Sequence, residues 1–256
     1  YIIIIRLIIV KLYIIMHDSN IIFLHGWLFD RRIWCHLDKF FKNNFNTYIY
    51  DLPGYGSNSL SSMSPQKYCD NIFERAEQDT TIVGYSYGGI LALNSFQNYQ
   101  KNIKKLILVN CNLNIEEQEH NVLNLNNIDA LKTSLTIDKK ESLKKFMYEC
   151  VKRSKYYKTE FSYIVKTFID NSLPDTSVLL ENLDDLKAST NINCGFDRQE
   201  DILLINTEKD HFMSSKETYM INNNSIKEEI VPGLGHIPFI SGNNEIYGLI
   251  KNFINS

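Results

Sequence analysis

The sequence predicts an α/β protein, a mostly parallel central sheet flanked by helices, and three observations predict it. Short apolar runs alternate with longer stretches in which apolar residues recur every three or four positions. The short runs are built from Ile, Val and Leu, the composition of strands buried on both faces of a parallel sheet. A chain of 256 residues with 44% hydrophobic, 12% aromatic and 22% charged residues also has the profile of one or two packed domains. Disorder and collagen-like or mucin-like repeats are excluded.

Residues 1–15 read YIIIIRLIIVKLYII and invite comparison with a signal or an anchor. Arg6 and Lys11 interrupt the apolar run, which is shorter than the ~20 residues a spanning helix needs, and no small-residue cleavage site follows. The β-branched composition favours a leading strand or strand pair, so no membrane span is expected. Met16, just ahead of the first clear strand, leaves open where the physiological chain starts. Strands are then expected at 21–24, 47–50, 81–83, 106–110, 202–206 and 228–231, and helices at 31–41, 65–78, 89–97, 215–221 and 245–253.

One stretch breaks the rhythm. Between 112 and 200 only helical patterns occur, interrupted around Pro174, and an insertion of that size in an α/β chain is usually functional. The expected organisation is a core of 1–111 and 201–256 with a helical insertion at 112–200. From Lys132 to Lys166 there are ten Lys or Arg against four Asp or Glu, which is either a cationic docking face or a solvated helix surface.

The whole chain is weakly acidic, with 27 Lys+Arg, 30 Asp+Glu and a formal charge of −3, so nucleic acid is not an expected partner. Five scattered cysteines (Cys35, Cys69, Cys111, Cys150, Cys194) form no CxxC pair and suggest neither a disulfide framework nor a zinc site. A reducing compartment, the cytoplasm, is the expectation.

The chemistry concentrates in a few segments. Gly84-Tyr85-Ser86-Tyr87-Gly88-Gly89 is a G-x-S-x-G directly after an apolar strand and directly before a helical run. A strand that enters a helix through so tight a turn needs glycines beside the serine and projects its hydroxyl from the carboxyl edge of the sheet. The helix N-terminus favours negative charge developing there. A serine needs a general base, and His236, in the glycine-bearing loop after the last strand, is where this order of residues delivers one. His120, His17, His36 and His211 lack that setting. For the acid, Asp210 follows the 202–206 strand, with Glu208 as its nearby rival; Asp210 is preferred because it lies later in the loop. The N–H groups of Tyr87 and of Trp27, after His25-Gly26, are the expected oxyanion hole. The Asp51-Leu52-Pro53-Gly54-Tyr55-Gly56-Ser57 segment reads as a structural turn.

Taken in chain order, His25-Gly26-Trp27, the Asp51 to Ser57 turn, the Ser86 motif and Gly235-His236 resemble the α/β-hydrolase superfamily over nearly the whole chain. Within it the chain is similar to the esterases of biotin synthesis that remove the methyl group from pimeloyl-acyl carrier protein methyl ester. Trp27 after His-Gly with Trp34 seven residues on, Asp51-Leu52-Pro53-Gly54 before Gly56-x-Ser, and His236-Ile237-Pro238-Phe239-Ile240-Ser241 carry that likeness. The resemblance implies an α/β-hydrolase fold and a serine carboxylesterase working through an acyl-enzyme with no metal or organic cofactor. It makes the insertion a lid. Phe146, Met147, Tyr148, Glu149 and Cys150 then line an acyl channel, with Trp27, Tyr85, Ser86, Tyr87 and His236 as the other substrate contacts.

The implied partners are an acyl carrier protein and small esters, for a monomeric enzyme, with Lys139, Lys140, Lys144, Lys145, Lys152, Arg153, Lys155 and Lys158 as carrier-protein contacts. Two departures bear on the substrate: Tyr85 stands where the family commonly has Trp, and lysines replace lid arginines, losing the planar fork that grips phosphate. A general short-chain carboxylesterase, another lidded hydrolase, and a non-catalytic small-molecule binder are the alternatives.

Overall fold

A computed structural model describes residues 19–77, 79–111, 125–171, 173–189, 198–212 and 226–256. The expected N-terminal strand and the helix at 215–221 lie outside the described residues, as do His17, His120 and Cys194. Six strands form one sheet in the order β2-β1-β3-β4-β5-β6, every neighbouring pair parallel. They are β1 (Asn20–Leu24), β2 (Asn46–Tyr50), β3 (Thr80–Tyr85), β4 (Ile103–Val109), β5 (Ile202–Thr207) and β6 (Lys227–Val231). β1, β3 and β5 are buried along their whole length, as their Ile, Val and Leu runs require.

The boundaries differ from expectation where polar residues obscure the pattern. β4 starts at Ile103 rather than 106 because Lys105 is accommodated by an ion pair to Asp201 and the face of Phe253. It ends before Asn110, which turns into the left-handed region at φ +49°.

Helices join the strands: α1 (Cys35–Phe41) after a 3₁₀ turn at Arg31–Trp34, α2 (Pro65–Arg75), α3 (Tyr87–Tyr99) and, at the C-terminus, α8 (Asn243–Ile254). α2 begins where Ser64 caps the Lys67 N–H and Pro65 occupies the first turn. α2 packs on α3 and α1 on α8. Between β4 and β5 the described residues form only helices: α4 (Leu125–Ile137), α5 (Lys139–Val151), α6 (Tyr157–Ile164), which runs into a π turn at Val165–Ile169, and α7 (Thr176–Ala188). No described helix is long and apolar enough to cross a membrane.

The strand order sets the site. From β1 the chain moves outward to β2, then returns to the other side of β1 with β3, so the crossovers diverge between β1 and β3. In an open parallel sheet the crevice beyond the carboxyl ends of the strands at such a reversal is where ligands bind. His25-Gly26-Trp27 leaves β1 there and Ser86 leaves β3 there, with Leu24 and Gly84 in register.

Candidate active site

Ser86 sits between β3 and α3 with φ +50° and ψ −121°, a backbone state that a non-glycine residue adopts only when its surroundings enforce it. They do so by backbone contact. The Ser86 N–H donates to the Val109 carbonyl of β4 at 3.0 Å, and its own carbonyl accepts from Gly89 and Ile90 in the first turn of α3. A Cβ on Gly84 would lie 2.5 Å from the Gly89 Cα, and one on Gly88 would overlap the His25 carbonyl oxygen. The helix therefore starts at Tyr87, two residues before the expected 89, because its glycines are packing requirements rather than breakers.

His236 and Asp210 arrive from the far strands. The Ser86 hydroxyl lies 3.1 Å from His236 Nε2, and His236 Nδ1 lies 2.7 Å from Asp210 Oδ2. The tautomer that satisfies both contacts carries its proton on Nδ1. Asp210 Oδ1 accepts the Phe212 N–H at 2.8 Å, so one oxygen holds the loop after β5 while the other meets the imidazole. Both Asp210 and His236 are buried. Glu208, the rival acid, is exposed and turned elsewhere, accepting from Lys209 and from the Gly233 N–H. Those partners hold its carboxylate below the usual range.

The cleft over Ser86 is lined by Trp27, Phe29, Tyr85, Phe146, Leu183, Leu186 and His236, and its free volume of about 10 Å³ is on the order of one water molecule. Phe146, on α5, closes it on the side of the helices between β4 and β5. Its ring meets Trp27 edge-on at 4.9 Å and stacks on Phe212 at 5.2 Å, while Phe212 meets the His236 ring edge-on. Beyond Phe146 and Phe212 lies a second cavity of about 280 Å³ between α4 and α5, with Lys145 and Glu149 in its wall.

Of the expected substrate contacts the structure brings Trp27, Tyr85, Ser86, Phe146 and His236 to the cleft. Glu149 lines the second cavity, where it pairs with Lys152 and with His211. Met147 and Cys150 are buried in the packing of the insertion, and Tyr148 is 43% exposed and packs edge-on against Phe161, outside the cleft. The Tyr87 side chain also points away, its hydroxyl donating to Asp185 on α7. Among the cations, Lys140, Lys144, Lys145, Arg153, Lys155 and Lys158 are exposed and Lys139 and Lys152 half-buried. Within the described residues only Lys152 of this set has an acidic partner within salt-bridge distance.

Three polar features escaped the sequence. His25 is fully buried: its Nδ1 faces the Gly26 carbonyl at 2.9 Å and its Nε2 accepts the Leu52 N–H at 2.9 Å, a neutral histidine joining the β1 loop to the β2 loop. Burial pushes its pKa down. Asp51 gathers the Arg31 N–H and the Ser57 N–H and hydroxyl, and the turn it shapes seats α7: Gly54, at φ +81°, lies against Val178, and the Tyr55 hydroxyl donates to Asn182. Asn110 binds the loop of His236 from β4.

A parallel sheet whose reversal point carries a serine on a strand-to-helix elbow, facing a histidine and a carboxylate from later strands, defines an α/β hydrolase. The chain belongs to the alpha/beta hydrolase family, whose model matches residues 21–247. It is 27% identical over 241 residues to the pimeloyl-[acyl-carrier protein] methyl ester esterase of Wigglesworthia glossinidia brevipalpis and 22% identical over 241 residues to the protein of that name from Yersinia enterocolitica. Each alignment covers 92% of this chain and 93% of the relative. Among solved structures, a bromoperoxidase from Bacillus anthracis superposes with a TM-score of 0.76 at 15% identity, covering 93% of this chain and 92% of the other. An esterase from Exiguobacterium antarcticum gives 0.74 at 15% identity, again over 93% and 92% of the two chains. These two likenesses describe the fold.

Proposed function

We propose that the protein is a serine carboxylesterase that hydrolyses the methyl ester of pimeloyl-acyl carrier protein, with residues 112–200 as its lid. The unbroken hydrogen-bonded line from Ser86 through His236 to Asp210 carries the reaction. Ser86 attacks the ester carbonyl as His236 Nε2 takes its proton. The N–H groups of Trp27 and Tyr87 hold the oxyanion; Tyr87 is the first residue of α3, so its N–H has no carbonyl partner within the helix. Methanol leaves with the proton from His236, and a water activated by the same imidazole clears the acyl-enzyme. Asp210 stabilises the imidazolium in both halves.

Two observations support the substrate. The relatives bearing that activity in their names align along nearly the whole chain. The exposed cations of α5 and of the turn into α6, free of acidic partners among the described residues, suit an acidic carrier protein and the phosphate of its prosthetic arm. The arm would enter through the second cavity, and the Phe146 ring must swing aside for an acyl chain to reach Ser86.

The test compares pimeloyl-acyl carrier protein methyl ester with a short p-nitrophenyl ester at low and high salt. The proposal expects the carrier-protein substrate to be favoured, by a margin that shrinks as salt screens the lid. Cleavage of the short ester alone, at a rate indifferent to salt, makes the protein a general short-chain esterase and overturns the carrier-protein assignment.

A further inference from the structure

We propose that Asn110, with Thr207 beside it, is the positioning device for His236; this rests on reading His236 as the general base. Asn110 is fully buried at the carboxyl end of β4, and its backbone stands at φ +49°. Its own N–H donates to the Ile205 carbonyl of β5 at 2.9 Å, which ties the turned backbone to the sheet.

Every polar atom of the side chain is committed. Nδ2 donates to the His236 carbonyl at 2.9 Å and to Thr207 Oγ1 at 3.0 Å, and Oδ1 accepts the Thr207 N–H at 2.9 Å. The Thr207 hydroxyl has one proton, and it goes to the Gly235 carbonyl at 2.8 Å. The two consecutive carbonyls of the Gly235-His236 segment are thus each held by a side chain from the ends of β4 and β5. On its other side the His236 N–H donates to the Cys150 carbonyl at the end of α5, 2.8 Å away. The histidine is therefore gripped through its peptide groups, by the sheet on one side and the insertion on the other. Its two ring nitrogens are left to the contacts with Asp210 and Ser86.

The amide is specified in both identity and orientation. Flipped, it would set its oxygen against the His236 carbonyl and its NH₂ against the Thr207 N–H. A carboxylate would have no donor for the His236 carbonyl and would bring a buried negative charge toward the imidazole. The purchase is geometric: a reacting atom misplaced by 1 Å, even through a distant change, costs on the order of a hundredfold in rate.

The experiment uses Asn110→Asp, which keeps the shape and loses the donor, with the pair Thr207→Val and Thr207→Ser. Each full-length variant is assayed for kcat, KM and pH profile on a short p-nitrophenyl ester, at temperatures where circular dichroism shows it folded. Ser86→Ala and His236→Ala serve as controls. The expectation for Asn110→Asp is a fall in kcat of about 10- to 100-fold with KM within about twofold, and an acid limb moved to higher pH. Thr207→Val should lose about fivefold in kcat and Thr207→Ser should recover it. A folded Asn110→Asp with wild-type kcat and acid limb overturns the proposal, as does a Thr207→Val indistinguishable from Thr207→Ser. Full activity in the Ser86→Ala or His236→Ala control instead overturns the reading of the site on which the proposal rests.

Discussion

On the core side of the Ser86 cleft backbone meets backbone. α3 lies against the β1 loop through Gly88, Ser86 is pinned to β4 by its own N–H, and His25 and Asn110 spend their side chains on main-chain groups of neighbouring loops. On the side of the insertion two backbone bonds reach the His236 loop, His236 N–H to the Cys150 carbonyl and Lys155 N–H to the Gly233 carbonyl, and elsewhere over the cleft single side chains make the ties. Trp27 Nε1 donates to the Leu179 carbonyl of α7, the Tyr55 hydroxyl to Asn182, the Tyr87 hydroxyl to Asp185, and Arg32 to the Thr167 carbonyl in the π turn. Contacts between backbones leave no room for adjustment, whereas a side-chain tie can be broken and remade one rotamer at a time. The difference teaches that Ser86 is held by contacts that cannot give, while most of the cover over its cleft hangs on contacts that can.

The sharpest way to break this comparison is one substitution on each side. Gly88→Ala would push a Cβ into the His25 carbonyl and should cost at least about 3 kcal/mol or abolish folding, since backbone cannot step aside. Tyr55→Phe removes one tie to α7 and should cost about 1 kcal/mol with the fold intact. Thermal unfolding of both variants checks the pair. Equal costs would erase the distinction between the two sides.

A smaller effect sharpens it through pH, because each region buries a group whose pKa burial shifts, and the two shifts have opposite signs. In the core, burial lowers the pKa of His25 below 6.5, so the unfolded chain binds a proton that the native state refuses. Its contribution is full above pH 6.5 and is lost as the pH falls from there toward the folded value, at no more than about 1.4 kcal/mol per unit. In the insertion, burial raises the Glu160 carboxyl above 4.5. That group weakens the fold as pH rises through the window above 4.5. Glu160→Gln should therefore raise Tm at pH 7.5 by an amount that fades toward pH 4.5, while His25→Gln should flatten the loss of Tm between pH 6.5 and 5.5. A Glu160→Gln variant less stable than wild type at pH 7.5 would contradict this assignment.

The same contrast explains what the sequence disclosed. The central strands were legible because burial on both faces favours runs of Ile, Val and Leu, and the elbow because close helix-to-strand packing writes itself as Gly84, Gly88 and Gly89 around Ser86. Residues that serve distant backbone carry no such local pattern. Asn110 and Thr207 are ordinary polar residues at strand ends until the fold brings Gly235 and His236 over them. His25 reads as half of a short dipeptide, although its imidazole serves the β2 loop. In the insertion the charge was legible but the direction of each side chain was not. The family resemblance alone put Phe146 and Tyr148 together, and the packing of α5 turns the first into the cleft and the second outward.

The most direct test of the account is covalent labelling by a fluorophosphonate, with the modified residue mapped by mass spectrometry in wild type and His236→Ala. The account predicts a single adduct on Ser86 in the wild type, and labelling slowed by about a thousandfold or more without the imidazole. An adduct on another residue, or equal labelling rates in the two proteins, would contradict it.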